Sequence, residues 1–244
     1  MMNLNTSTEA PNTTETAIGF IPCYRLPFLS IFHADCMDIM KQYPDKYFDL
    51  AIVDPPYGIE RFKNVTTTPS VKDVHAKRFQ RMETVNNNKP TAEYWSELFR
   101  VSKNQIIWGA NNFELPPSEY FLCWNKEQAM PNFATLEYAW VSMGLKTPAK
   151  LFTYSIHKHN QSDKIHPTQK PIDLYDWILK NYAKPDFKLL DTHFGSGSIA
   201  LAVDKANRLD KMNLHLTACE IDKEYIDKAI KRISESIKQG TLSF

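Results

Sequence analysis

Phe187-Lys188-Leu189-Leu190-Asp191-Thr192-His193-Phe194-Gly195-Ser196-Gly197-Ser198 is the stretch whose reading decides the fold. The apolar run from Phe187 to Leu190 reads as a buried strand that ends in an acid, and a small-residue turn then opens a helical stretch from Ser198 to Asn207. A strand, a tight glycine turn and a helix N-terminus bring backbone N–H groups close to a nucleotide-like cofactor. A second acid, Glu220, closes the next apolar run, Leu214 to Cys219, as in dinucleotide-binding folds. Its carboxylate can accept from both hydroxyls of a ribose. Asp191 beside the turn would repel a pyrophosphate and attract an ammonium group. That favours S-adenosylmethionine, which carries an amino group and a sulfonium, over a nicotinamide cofactor. Taken alone, the stretch could also be a glycine turn that joins strand to helix and holds nothing.

Upstream, Phe48-Asp49-Leu50-Ala51-Ile52-Val53 reads as a second buried strand, and it delivers Asp54-Pro55-Pro56-Tyr57 to a sheet edge. Two consecutive prolines fix the backbone and remove N–H donors, so the turn presents the Asp54 carboxylate and the Pro55 carbonyl as acceptors. Acceptors suit an exocyclic amino group, whose lone pair is delocalised into its base. Two hydrogen bonds to fixed acceptors favour a tetrahedral nitrogen that can attack a methyl group. Tyr57 offers a flat face to a base removed from the helix, or else it is a packed turn tyrosine.

The chain of 244 residues and 28.2 kDa can bury one large core, and with 43% hydrophobic and 23% charged residues it has the composition of an ordinary soluble protein. No apolar run approaches the roughly 20 residues of a membrane span, so no membrane partner is expected. Residues 1–16 read as a disordered tail rich in Thr, Asn and Glu, not as a signal peptide, which points to the cytoplasm. Cys23, Cys36, Cys123 and Cys219 show no metal-ligand spacing, and three of them sit in strand-like apolar surroundings that suggest small core residues. No metal is expected.

The net charge of +1 is unevenly spread: residues 61–89 hold seven Lys/Arg against two acids, and residues 146–170 hold five Lys against one. An acidic body with two basic stretches suits a polyanion partner, or the stretches are solvated loops. Further strands are expected over Leu29 to His33, Gln105 to Trp108 and Tyr120 to Trp124, with Glu137 to Met143 and Lys150 to Ile156 forming an antiparallel pair. Short or amphipathic helices are expected over Asp38 to Gln42, from Pro90, after Pro171 and over Lys223 to Ile237. The fold class is α/β, a doubly wound, mostly parallel sheet with an antiparallel edge hairpin. Residues 17–244 form one domain, with a long loop over 59–89 and a small hairpin over 145–163.

With these motifs in this order the chain resembles the beta-class DNA amino-methyltransferases, a family with a circularly permuted motif order in which the catalytic turn comes first. The resemblance spans most of residues 29–237. It is carried by His33-Ala34-Asp35, Asp54-Pro55-Pro56-Tyr57-Gly58, Trp108-Gly109-Ala110-Asn111, Trp124-Asn125-Lys126, Glu137-Tyr138-Ala139-Trp140, His166-Pro167-Thr168-Gln169-Lys170-Pro171, the Asp191 turn and Cys219-Glu220-Ile221-Asp222. It implies a Rossmann-like domain using S-adenosylmethionine, with Asp54, Pro55, Pro56 and Tyr57 as catalytic residues. Asp191, Gly195 and Gly197 would hold the methionine end, Glu220 the ribose and Asp35 the adenine amino group, with His193, Ser196 and Ile221 also in the cofactor site. Thr168 and Lys170 would close the methionine side. Asp at position 54 resembles adenine-N6 members more than cytosine-N4 members. Duplex DNA would be the partner, met by Arg61, Lys63, Lys77, Arg78 and Arg81 of the 59–89 loop and by Lys158 of the hairpin.

Two features depart from the family pattern. His193 stands where Phe is usual, keeping a flat ring but adding a titratable group that would make cofactor binding weaker, or pH-dependent between pH 5.5 and 8. The span from Trp140 to His166 is short where many members insert a recognition region, which leaves base reading to the 59–89 loop, the 145–163 hairpin or a second subunit. A homodimer would fit this, whereas a restriction endonuclease partner leaves no mark in the sequence. Methyltransferases of ribosomal RNA or of protein glutamine share the acidic Pro-Pro-Tyr turn, but their cofactor motif precedes it. A non-catalytic nucleic-acid-binding subunit would have no need of Asp54, Tyr57, Asp191 and Glu220 together.

Overall fold

The computed structural model describes residues 19–58, 88–129, 134–160, 164–166 and 168–241. The tail over 1–16 and residues 59–87 of the basic loop, including Arg61, Lys63, Lys77, Arg78 and Arg81, lie outside them. The strands are β1 (Tyr24–Leu26), β2 (Leu29–His33), β3 (Phe48–Val53), β4 (Ser102–Trp108), β5 (Tyr120–Asn125), β6 (Leu136–Val141), β7 (Lys150–Thr153), β8 (Lys188–Asp191) and β9 (His215–Glu220). They form one sheet in the order β1-β2-β9-β8-β3-β4-β6-β5-β7. Its centre, β2-β9-β8-β3-β4, is parallel throughout.

Alternation along the strands sends side chains to two cores. Leu50 and Ile52 of β3 join Leu189 of β8 and Ile106 of β4 on one face, under helices α4 (Ile172–Tyr182), α5 (Ser198–Asp210) and α6 (Lys223–Thr241). Ala51 and Val53 join Leu190 and Ile107 on the other, under α1 (Cys36–Met40) and α2 (Ala92–Val101). Helices on both faces of a largely parallel sheet make the fold doubly wound. From β3 the chain winds outward to β4, and from β8 it winds the opposite way to β9. The crevice between β3 and β8 is therefore the topological switch point, where open sheets of this kind bind ligands.

The N-terminal strand of the sheet, β1, is too short to show a period and pairs antiparallel with β2 at one edge. Helix α2 begins at Ala92, after the expected Pro90, because the Thr91 side chain caps it by accepting from the Tyr94 N–H. Of the cysteines only Cys219 is buried; Cys23 is exposed, and Cys36 and Cys123 are half-buried. At the far edge the expected pairing of Glu137 to Met143 with Lys150 to Ile156 is absent. β6 already has β4 on one side and β5 on the other, both antiparallel, so the following strand can add only beyond β5, which it meets in parallel. The described part of the segment 145–163 is therefore not a hairpin but the edge strand β7 followed by α3 (Ile156–Asn160). Among the described residues no helix is long and apolar enough to cross a membrane, and no His/Cys/Asp/Glu cluster could hold a metal.

Candidate active site

β3, β8 and β9 each end in an acid at the same rim of the sheet. Parallel pairing of Leu50 with Leu189 and Ala51 with Leu190 sets Asp54 beside Asp191, and pairing of Asp191 with Ala218 sets Glu220 beyond it. Asp54 and Glu220 border a cavity of about 600 Å³. Asp35, Asp54, Pro55, Pro56, Tyr57, Thr168, Lys170, His193, Gly195, Ser196, Glu220 and Ile221 line it. The catalytic and cofactor segments read from the sequence thus meet in one space. Asp191 and Gly197 stand behind its wall, the aspartate only 3% exposed.

On the cofactor side, Gly195 and Gly197 both take left-handed backbone, with φ of 50° and 70°, and Gly197 caps α5. Glu220 accepts from the backbone N–H of Gly195 at 2.9 Å, of Ile221 at 3.0 Å and of Asp222 at 3.1 Å, which fixes its carboxylate at the rim. Burial nonetheless pushes its pKa up. Ile221 leaves 55% of its surface exposed at the edge of the cavity. Asp35 caps α1 through the Met37 N–H at 2.8 Å. Burial pushes the Asp191 carboxyl up to about 7, and the Asp54 and Glu220 charges add to this against the opposing pull of the His193 N–H and Lys170. Asp191 is thus a buried carboxyl whose charge lacks a full counterpart.

His193 does not titrate in the range expected from the sequence. Burial depresses its pKa to about 4, the nearby Asp35 opposing weakly, so the ring is neutral from pH 5.5 to 8. Its Nδ1 lies 2.9 Å from the Thr192 hydroxyl, which lies 2.7 Å from the Tyr94 hydroxyl. Tyr94 of α2, which the sequence places only on an expected helix, packs its ring edge-on to His193 at 5.6 Å and lines the cavity.

On the catalytic side the Asp54 carboxylate is held at both oxygens. The Tyr57 hydroxyl donates to Oδ1 at 2.5 Å, and the Lys170 ammonium pairs with Oδ2. Burial, then the Asp54 and Glu137 charges, push the Tyr57 phenol well above its ordinary value, so it stays a donor. The Lys170 side chain is 3% exposed and also pairs with Glu137 Oε2 at 3.3 Å. The Lys170 ammonium thus pairs with Asp54, while the residue lines the same cavity as the glycine turn. Thr168 also lines the cavity, its hydroxyl 3.1 Å from His166 Nδ1, with the His166 ring against Tyr225 at 4.3 Å. Lys158 is exposed on α3, its ammonium 5.1 Å above the Tyr154 ring and outside the cavity. Sequence reading quoted Lys126 and Glu137 without giving them work, and it passed over Tyr175, a buried α4 residue on the cavity wall. Only tertiary structure brings these groups to the site.

The doubly wound, mostly parallel sheet with its crevice at the β3–β8 switch point is a Rossmann-like fold. The family model described as DNA methylase, of the N6 and N4 type, matches residues 48–231, and the chain belongs to that family. It is 24% identical to the type II methyltransferase M.BglII of Bacillus subtilis, over 84% of this chain and 68% of that protein. It is 23% identical to the type II methyltransferase M.HinfI of Haemophilus influenzae, over the same shares. Among solved structures, PvuII DNA methyltransferase (cytosine-N4-specific) superposes with a TM-score of 0.56 at 13% identity, covering 91% of this chain and 95% of that one.

Gly109, at the end of β4, shows how closely the catalytic turn is seated. Its φ is +66°, and a Cβ there would fall 2.1 Å from the Tyr57 ring. Gly109→Ala should cost about 2 kcal/mol in urea unfolding, from left-handed strain and a displaced tyrosine; unchanged stability would mean that Tyr57 does not rest on this backbone.

Proposed function

We propose that the protein methylates the exocyclic N6 amine of an adenine flipped out of duplex DNA, with S-adenosylmethionine as donor. The observation that carries this reading is the single cavity that Asp54 and Tyr57 share with the glycine turn and Glu220. The cofactor fits what surrounds the cavity. Asp191, directly behind its wall, is a buried carboxyl in want of a cation, Gly195 leaves room beside His166, and Ile221 offers an exposed apolar edge. In this assignment Asp191 takes the ammonium group, Glu220 the ribose hydroxyls, Asp35 and Ile221 the adenine. Ser196, Gly197 and Thr168 shape the methionine end, and His193 is a neutral ring in the wall. S-adenosylmethionine would supply an electrophilic methyl group on a sulfonium.

The chain's own work is to present the amine. Asp54 and the Pro55 carbonyl accept its two N–H groups, and Tyr57 stacks on the base. The Tyr57 hydroxyl occupies one lone pair of Oδ1, and the second lone pair of that oxygen can accept the amine. The acceptor need not be a strong base, because the amine becomes acidic only as it is alkylated. Asp at position 54 favours adenine through the family resemblance. The type II methyltransferases among its relatives support site-specific modification. Arg61, Lys63, Lys77, Arg78, Arg81 and Lys158 would contact phosphates.

Incubation with methyl-labelled S-adenosylmethionine and unmodified genomic DNA, followed by nucleoside mass analysis, should yield labelled N6-methyladenine. Labelled N4-methylcytosine would change the base, and unlabelled DNA would contradict the reading. Cofactor binding should also depend on pH through Asp191. The carboxyl is ionised above about 7 and protonated below it, and only the ionised form attracts an ammonium. Affinity measured calorimetrically should therefore weaken as pH falls below 7, by up to about tenfold per unit, and level off above. Asp191→Asn should flatten that profile and His193→Phe should leave it in place.

A further inference from the structure

Four charged side chains from four separate segments form an alternating chain that ends on the catalytic acid. Lys126, just past β5, pairs with Glu137 Oε1 at 2.5 Å; Glu137, on β6, pairs through Oε2 with Lys170 at 3.3 Å; and Lys170, in the loop before α4, pairs with Asp54 Oδ2. The Lys170 ammonium also sits 5.2 Å over the ring of fully buried Trp108. Its near partners are thus two carboxylates and one ring face. Burial works against ionising Glu137 and Lys170 alike, but their partners outweigh it: the two ammonium groups hold the Glu137 carboxyl low, and Asp54 with Glu137 holds Lys170 high. The formal charges of the four groups, two lysines and two acids, sum to zero.

We infer that Glu137 is a positioning residue for methyl transfer, acting through Lys170 to keep Asp54 a full negative charge with Oδ1 turned toward the incoming amine. The Lys170 contact at Oδ2 and the Tyr57 contact at Oδ1 fix the orientation of the carboxylate and leave a lone pair of Oδ1 to accept the amine. During transfer, positive charge moves onto the amine nitrogen, next to Asp54. A buried ammonium there would raise the barrier unless a second carboxylate cancelled it, and Glu137 is that carboxylate. Lys126 in turn limits the excess negative charge that Glu137 would bring. Simple stabilisation is a poor account of the chain, because buried ion pairs are on average no better than well-packed apolar residues.

This inference rests on Asp54 being the acceptor, and the test separates the two claims. Single-turnover methyl transfer to DNA and cofactor affinity would be measured for Glu137→Gln, Lys126→Met, the double variant and Asp54→Ala. Glu137→Gln leaves one excess positive charge and should slow transfer by roughly tenfold or more with cofactor affinity unchanged. The double variant restores neutrality and should recover most of that loss, whereas a packing role predicts a double variant at least as slow as the slower single one. If Glu137→Gln does not fold, Lys126→Met and the double variant still decide, since only an electrostatic role makes the double variant active. Transfer unchanged in Glu137→Gln, or no recovery in the double variant, overturns the inference. Full transfer by Asp54→Ala would overturn the underlying reading as well.

Discussion

The parallel pairing of β3 with β8 is the constraint on which the rest depends. Two strands far apart in sequence lie side by side, with Leu50 opposite Leu189 and Ala51 opposite Leu190. Their following acids, Asp54 and Asp191, are thereby brought to one crevice. A slip of one residue would turn each side chain to the other face of the sheet. Both cores guard against that slip, because Leu50, Ile52 and Leu189 fill one and Ala51, Val53 and Leu190 the other. The permuted order of the motifs is immaterial to the site, since β8 and β3 are neighbours in space whichever comes first.

Bringing acids together in a water-poor crevice has an electrostatic cost, and the structure meets it differently on its two sides. On the catalytic side Asp54 is compensated within the chain, by Lys170 and the Tyr57 hydroxyl. On the cofactor side Asp191 has backbone and distant charges only, and its pKa climbs to about 7. One acid is preorganised and the other is left short of a cation. In the proposed mechanism a bound cation completes the second acid, while the first already stands ready for the amine.

Much of this was legible in the sequence because local chemistry specified it. Acids after apolar runs marked three strand ends, and glycines at 195 and 197 marked the turn whose left-handed backbone requires them. What stayed hidden depends on pairing and burial. That β7 joins β5 and not β6 follows from β6 having no free edge, which no local pattern states. His193 looked titratable because its ordinary pKa lies near neutrality, and its burial is a tertiary fact. Lys170 was read by its place in His166-Pro167-Thr168-Gln169-Lys170-Pro171, yet its ammonium crosses to Asp54, which lies 116 residues earlier in the chain. The part of the basic loop over 59–87 lies outside the described residues, so base reading rests on the sequence alone.

The central claim is a division of labour across one cavity, in which the β8–β9 half holds the donor and the β3 half presents the amine. It is tested most directly by titrating S-adenosylmethionine into Asp54→Ala and measuring methyl transfer to DNA by the same sample. The account predicts that cofactor binding is kept and transfer is lost. Transfer at the wild-type rate, or loss of cofactor binding in a folded variant, would contradict it.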